Sequence, residues 1–128
     1  MSLLLLPQGE VNGPGFGQPV DLGDRQGEML RLTLTINRIS VGDHLDVAIW
    51  GSADGKDWGT RPIAILPHKY YCGSYRYHLD LTHQPDIRFL RVQYQILSDS
   101  PGAMRHLHPV AWITLEADVE RPQLVAHA

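Results

Sequence analysis

Cysteine is almost absent from this chain. Cys72 stands alone, so no disulfide can form within it. With no histidine or acidic partner beside it in a recognised motif, Cys72 is expected to be a small residue packed in or beside a strand rather than a nucleophile. Long apolar runs are missing too. Leu3 to Leu6 is too short for a signal-peptide core and no Lys or Arg precedes it. Nothing approaches the roughly 20 apolar residues of a membrane helix. The expectation is synthesis and folding in the cytosol, with no membrane partner. Positive charge is scarce: 11 Lys and Arg face 14 Asp and Glu, for a net charge of −3. Such a chain has no basic field to collect phosphates, which argues against a nucleic-acid partner.

Motifs of catalysis are also lacking. There is no nucleophile elbow and no H-E-x-x-H. "GPGFGQP" at 13–19 has the glycines of a phosphate loop but neither the Lys-Ser/Thr nor a following helix. The expectation is a protein that is not an enzyme and holds no cofactor and no metal.

What the sequence has is alternation. Leu30, Leu32, Leu34 and Ile36 alternate with Arg31, Thr33 and Thr35. The same period of two runs through Leu45, Val47 and Ile49, through Leu90, Val92, Tyr94 and Ile96, and through Ala111, Ile113, Leu115, Ala117 and Val119. Side chains of a strand point alternately to its two faces, so each run marks a half-buried strand. Weaker strands are expected at Pro62 to Leu66, where the proline suits a sheet edge, and at Tyr70 to Leu81, where Gly73 suits a bulge or bend. Turn signals fall at 41–43, 53–57, 82–86 and 98–102, and no window carries a helical period. This predicts a single all-β domain over residues 1–128: an antiparallel β-sandwich or jelly roll of about eight strands. Its core includes Leu32, Leu34, Ile36, Leu45, Val47, Ile49, Leu90, Val92, Tyr94, Ile113, Leu115 and Ala117.

Two flanks differ. Residues 7–27 are rich in glycine and proline and read as a loose arm, or as an irregular segment with one short strand around Val20 to Leu22. The tail over about 120–128 is expected to fray.

The most patterned stretch is "WGSADGKDWG", Trp50 to Gly59. Ser52 and Asp54 are suited to accept backbone N–H bonds, Gly55 to take a positive φ, and Trp58 to fold over the bend, so the stretch reads as a turn. Asp54 and Asp57 as calcium ligands are the alternative. The loop offers few of the six to eight oxygens that ion takes, and it lacks the spacing of an EF-hand or of a sialidase-type Asp box.

The residues Ser52-Ala53-Asp54-Gly55-Lys56-Asp57-Trp58 resemble the S-x-D-G-x-x-W turn of discoidin (coagulation-factor type C) domains, and "IRFLRVQ" at 87–93 resembles a strand of that family. The order "LDVAIWGSADGKDW", "RFLRVQYQI", "HPVAWITLEADV" also resembles the layout of small single-domain proteins of phage structural type, associated with tail or capsid. The first resemblance implies a carbohydrate- or surface-binding module. The second implies a structural subunit, a virion component.

Aromatic and arginine side chains are the remaining candidates for a binding surface. Trp50, Trp58 and Trp112 lie outside the alternating core set, Tyr70, Tyr71, Tyr75 and Tyr77 crowd one segment, and Arg76, Arg88 and Arg91 fall on outward positions. Interface cores favour these residue types over Lys and Glu, and Lys56 and Lys69 are the only lysines here. Trp50, Asp54, Asp57, Trp58, Tyr71, Tyr75, Arg76 and Trp112 are therefore the candidate ligand or interface residues. His106-x-His108, with His78 or His83, is the one metal cluster the spacing suggests, and solvent-facing loop histidines explain it as well. The expected function is that of a non-enzymatic assembly protein, a homo-oligomer or one subunit among others, with the glycine-rich arm adding a strand to a neighbour's sheet. A glycan partner is the alternative.

Overall fold

The computed structural model describes residues 2–98 and 110–120. Nine strands form among them: β1 (Leu3–Asn12), β2 (Gly15–Phe16), β3 (Val20–Asp21), β4 (Met29–Ile39), β5 (Asp43–Ser52), β6 (Ala64–Lys69), β7 (Gly73–Asp80), β8 (Phe89–Ser98) and β9 (Val110–Val119), with one 3-10 turn at Gly23–Arg25. They make two antiparallel sheets. The first runs β1-β9-β4-β7; the second runs β2-β8-β5-β6, with β3 also on β8.

The period-two runs become the centre of this sandwich. β4 lies between β9 and β7, with Leu32 opposite Ala117 on one side and Tyr77 on the other. β5 lies between β8 and β6, with Ile49 opposite Val92 and Ala64. Leu32, Leu34, Ile36, Leu45, Val47, Ile49, Leu90, Val92, Ile113, Leu115 and Ala117 are all buried in one core shared by both sheets, and Tyr94 packs against it half-buried. An all-β sandwich is thus what the alternation builds. β6 is the edge of the second sheet, as the proline before it suggested, though it begins two residues later and extends to Lys69.

Of the two readings of residues 7–27, the loose arm is overturned, while the irregular segment with a short strand at Val20 holds in part. β1 runs to Asn12 and pairs with β9 from Leu3↔Ala117 to Asn12↔Val110. Gly15 and Phe16 then pair with Tyr94 and Gln93, and Val20 and Asp21 pair with Leu90 and Phe89. The correction has a physical cause. β1 carries irregularities between Leu4 and Leu6 and between Leu6 and Gly9, which break the period of two. Leu5 and Leu6 are consequently both buried, together with Val11, in a spacing that does not alternate. Pro7 lacks an N–H, and an edge strand tolerates that loss. Gly15 has a packing role: a Cβ there would stand 2.7 Å from the hydroxyl oxygen of Tyr94.

Gly73 opens β7 where the chain passes from the second sheet to the first. Its φ of 147° favours glycine, and the ring of Tyr75 lies beside it. Cys72, just before it, is exposed. Most of the tail at 120–128 lies outside the described residues, and so do His106 and His108. No helix among the described residues is long and apolar enough to cross a membrane.

Candidate functional site

β5 leaves the sandwich at Ser52 and reverses through the turn that the sequence singled out. Ser52 Oγ donates to Asp54 Oδ1 at 3.0 Å and accepts from the Gly55 N–H at 2.8 Å. Asp54 Oδ1 accepts the N–H groups of Lys56 and Asp57 at 2.8 and 2.9 Å. Asp57 Oδ1 accepts from Gly59 N–H at 3.0 Å. Gly55 and Gly59 take φ of 80° and 72°. The Asp57 and Lys56 N–H groups, with the Ser52 hydroxyl, hold the Asp54 carboxyl at a pKa of about 2. One oxygen of each aspartate is therefore committed to the backbone of its own loop, as a turn requires.

Trp58 folds back onto the outer face of the second sheet. The Arg91 guanidinium lies 4.6 Å from its ring and 4.3 Å from that of Phe16 on β2, held between the two aromatics. Trp50, beside it on β5, donates its indole N–H to Gln93 Oε1 at 2.9 Å. At the rim Arg88 makes two hydrogen bonds to the Asp21 carboxylate, at 3.1 and 3.3 Å. This pairing lowers the pKa of Asp21 and raises that of Arg88.

The eight candidate residues do not form one site. Trp50, Asp54, Asp57 and Trp58 share the end of β5 and its following loop. Tyr71 stands 75 % exposed between β6 and β7. Tyr75 turns inward against the core, and its hydroxyl donates to the Tyr71 carbonyl at 2.7 Å. Arg76 and Trp112 belong to the first sheet, Arg76 opposite Thr33 and Trp112 opposite Glu10 and Arg38.

Further along the same outer face lies a cluster that the sequence reading did not find. His44 and Asp46 occupy alternate positions of β5 and so point the same way. Leu45 pairs with Lys69 but Val47 with Leu66, so Pro67 and His68 both stand opposite the single Asp46. This bulge delivers His68 Nδ1 to Asp46 Oδ1, while His44 Nε2 stands 3.7 Å from the same oxygen. The His44 ring packs edge-on against His68 at 5.1 Å and tilted against Tyr70 at 5.3 Å. Between this cluster and Trp50 a groove of about 230 Å³ runs over Ala48, flanked by Ile65, Gln93 and Gln95. His-x-Asp at 44–46 was the visible half of the signal; the other half depends on an irregular register. Of the histidines the spacing singled out, His78 bonds Glu120, and His106 and His108 lie outside the described residues.

A second feature is apolar. Val41 is 95 % exposed, Tyr71 75 %, Tyr70 44 % and Leu97 38 %. All four belong to the end of the sandwich where β5 begins: Val41 precedes β5, Leu97 pairs with His44, and Tyr70 follows the Lys69 that pairs with Leu45.

Comparison with known protein families, with curated proteins and with solved structures finds no match for this chain.

Proposed function

We propose that this protein is a non-enzymatic assembly subunit that self-associates through the apolar end of its sandwich. The observation that carries the reading is the gathering of Val41, Tyr70, Tyr71 and Leu97 at the start of β5, beside the free edge of β6. Large apolar side chains grouped on a surface mark contacts with other proteins, and tyrosine is enriched in such contacts. The strand order adds an analogy. With β2 and β3 taken as two halves of one strand, each sheet has four strands, and the interleaving resembles that of a jelly roll, an architecture of viral capsid and lectin domains. Together with the layout resemblance to phage structural proteins, this supports reading the assembly as part of a virion-like particle. The segment at 7–27 takes no part in strand exchange in this reading, because it pairs with β8 and β9 of its own chain.

Light scattering after size exclusion tests it. The expected mass is a multiple of 14.4 kDa, and Val41→Ser with Tyr71→Ser lowers it. A monomer at millimolar concentration, or an oligomer unchanged by both substitutions, overturns the reading.

The groove over Ala48 favours a second reading, a carbohydrate- or surface-binding module. Its two amide side chains, Gln93 and Gln95, and its apolar flank suit a sugar ring. A glycan array without hits removes that alternative.

A further inference from the structure

We propose that His44, Asp46 and His68 bind one divalent first-row transition-metal ion, with zinc as the representative of the class, on the outer face of the second sheet.

The argument begins with donor chemistry. Two neutral imidazole nitrogens and one carboxylate oxygen form a ligand set for borderline ions such as Zn²⁺ or Co²⁺, whereas Ca²⁺ and Mg²⁺ take oxygen almost exclusively. The three ligand atoms, one from each residue, lie within 4.8 Å of one another. A tetrahedral zinc with bonds of about 2.0–2.1 Å spaces its ligand atoms about 3.3 Å apart. The His44 Nε2 to Asp46 Oδ1 separation of 3.7 Å is already close to that value, while His68 Nδ1, bonded directly to the same oxygen, must draw back by about an ångström to admit the ion.

Positioning strengthens the case. Two ligands stand on a central strand of the sheet, and the third stands on an edge strand whose bulge inserts one residue opposite Asp46. Bulges often serve to re-aim a side chain. His44 is nearly buried, covered by the rings of His68 and Tyr70, so its orientation is fixed by packing. His68 is 63 % exposed and leaves the ion a path from solvent. Asp46 and His68 also line one end of the groove over Ala48, so the coordination position left open by three protein ligands faces space for water or an incoming oxygen ligand. None of the three ligands is one of the apolar residues at the end of the sandwich, although Tyr70 of that end packs on His44, and zinc binding is read separately from oligomeric mass.

Zinc titration of the untagged, metal-stripped chain by calorimetry tests the proposal, with cobalt absorption spectra as a second readout. The expected result is a site filled at one ion per chain, with cobalt giving the intense visible bands of a four-coordinate ion. His68→Ala, on an exposed edge position where folding does not depend on it, should weaken binding at least about tenfold, and Asp46→Asn should do the same. His44→Ala should weaken it too, but its burial makes the other two variants decisive. His78→Ala and His83→Ala should leave binding unchanged. No heat with zinc overturns the proposal. So does zinc binding that survives His68→Ala and Asp46→Asn, or that disappears in the His106→Ala/His108→Ala double variant instead.

Discussion

Leu5→Ala measures whether the first strand belongs to the sandwich. Leu5 is 2 % exposed and packs in the shared core, although it stands on an edge strand. Removing a buried leucine side chain loses its transfer free energy and leaves a cavity, which together cost about 2–5 kcal/mol. The strand is irregular on both sides of Leu6, so its backbone can relax toward the hole, and the lower part of the range applies, about 2–3 kcal/mol. With a urea dependence of about 1.5 kcal/mol per molar, the unfolding midpoint should fall by about 1.3–2 M. Leu4→Ala is the control: Leu4 is 50 % exposed, and its loss should change stability by less than about 0.5 kcal/mol. The assay is equilibrium urea unfolding followed by tryptophan fluorescence, run at two protein concentrations. Since Leu5 is covered by its own chain, the difference between wild type and variant should not depend on concentration. A change below about 0.5 kcal/mol for Leu5→Ala would mean that β1 does not help to close the core. A difference that grows with concentration would mean that a neighbouring chain provides the cover.

Other consequences are as specific. The folded-state pKa of Asp54 lies below its ordinary 3.8, so its contribution to stability is whole above pH 4 and is lost as pH falls through about 2. Asp54→Asn should lower stability at neutral pH and flatten the acid limb between pH 4 and 2, as read from urea midpoints across that range. Asp21 and Asp80 are shifted in the same direction and add to the same limb. Gly55→Ala should cost about 1–2 kcal/mol in thermal or urea unfolding, because φ is 80° there, while the new Cβ would only touch the Phe89 ring at ordinary contact distance; Gly55→Asn should cost less. Arg91→Ala should destabilise by about 1 kcal/mol and shift tryptophan emission to the red, as Trp58 loses the cation it covers.

Sheet centres were legible in the sequence and sheet edges were not. β5, β8 and β9, and β4 as far as Ile36, have regular pleats, so Leu32, Val47, Val92 and Leu115 could be assigned to the core from period alone. Leu5, Leu6 and Val11 escaped because bulges put neighbouring side chains on one face. Leu22 and Leu81, both fully buried, sit in connections where no period exists. The turn after Trp50 was read correctly at Ser52, Asp54 and Gly55, since its hydrogen bonds are local, whereas Trp58 lies against Arg91 of β8 and Phe89 is the ring beside Gly55. The grouping of Tyr71, Tyr75, Arg76 and Trp112 with that turn was not, because which sheet a strand joins depends on pairing across the whole chain. His68 was missed for a smaller reason of the same kind: one inserted residue decides that it meets Asp46.

The pairing of the first strand with the last has a kinetic consequence. Leu3 stands opposite Ala117, and β9 is also the partner of β4, so two long strands of the first sheet wait for the final strand to complete their ladders. At about 5–20 residues per second a ribosome leaves these edges open for several seconds. Closing loops of that length before any reward from contact makes folding slow, in the millisecond-to-second range typical of sandwiches. During synthesis β1 is therefore an unpaired apolar ribbon and β4, even once β7 has paired with it, keeps one edge open; the hazard they pose is aggregation on the ribosome, which a chaperone or a slowed passage through the codons before β9 would influence more than any change in final stability.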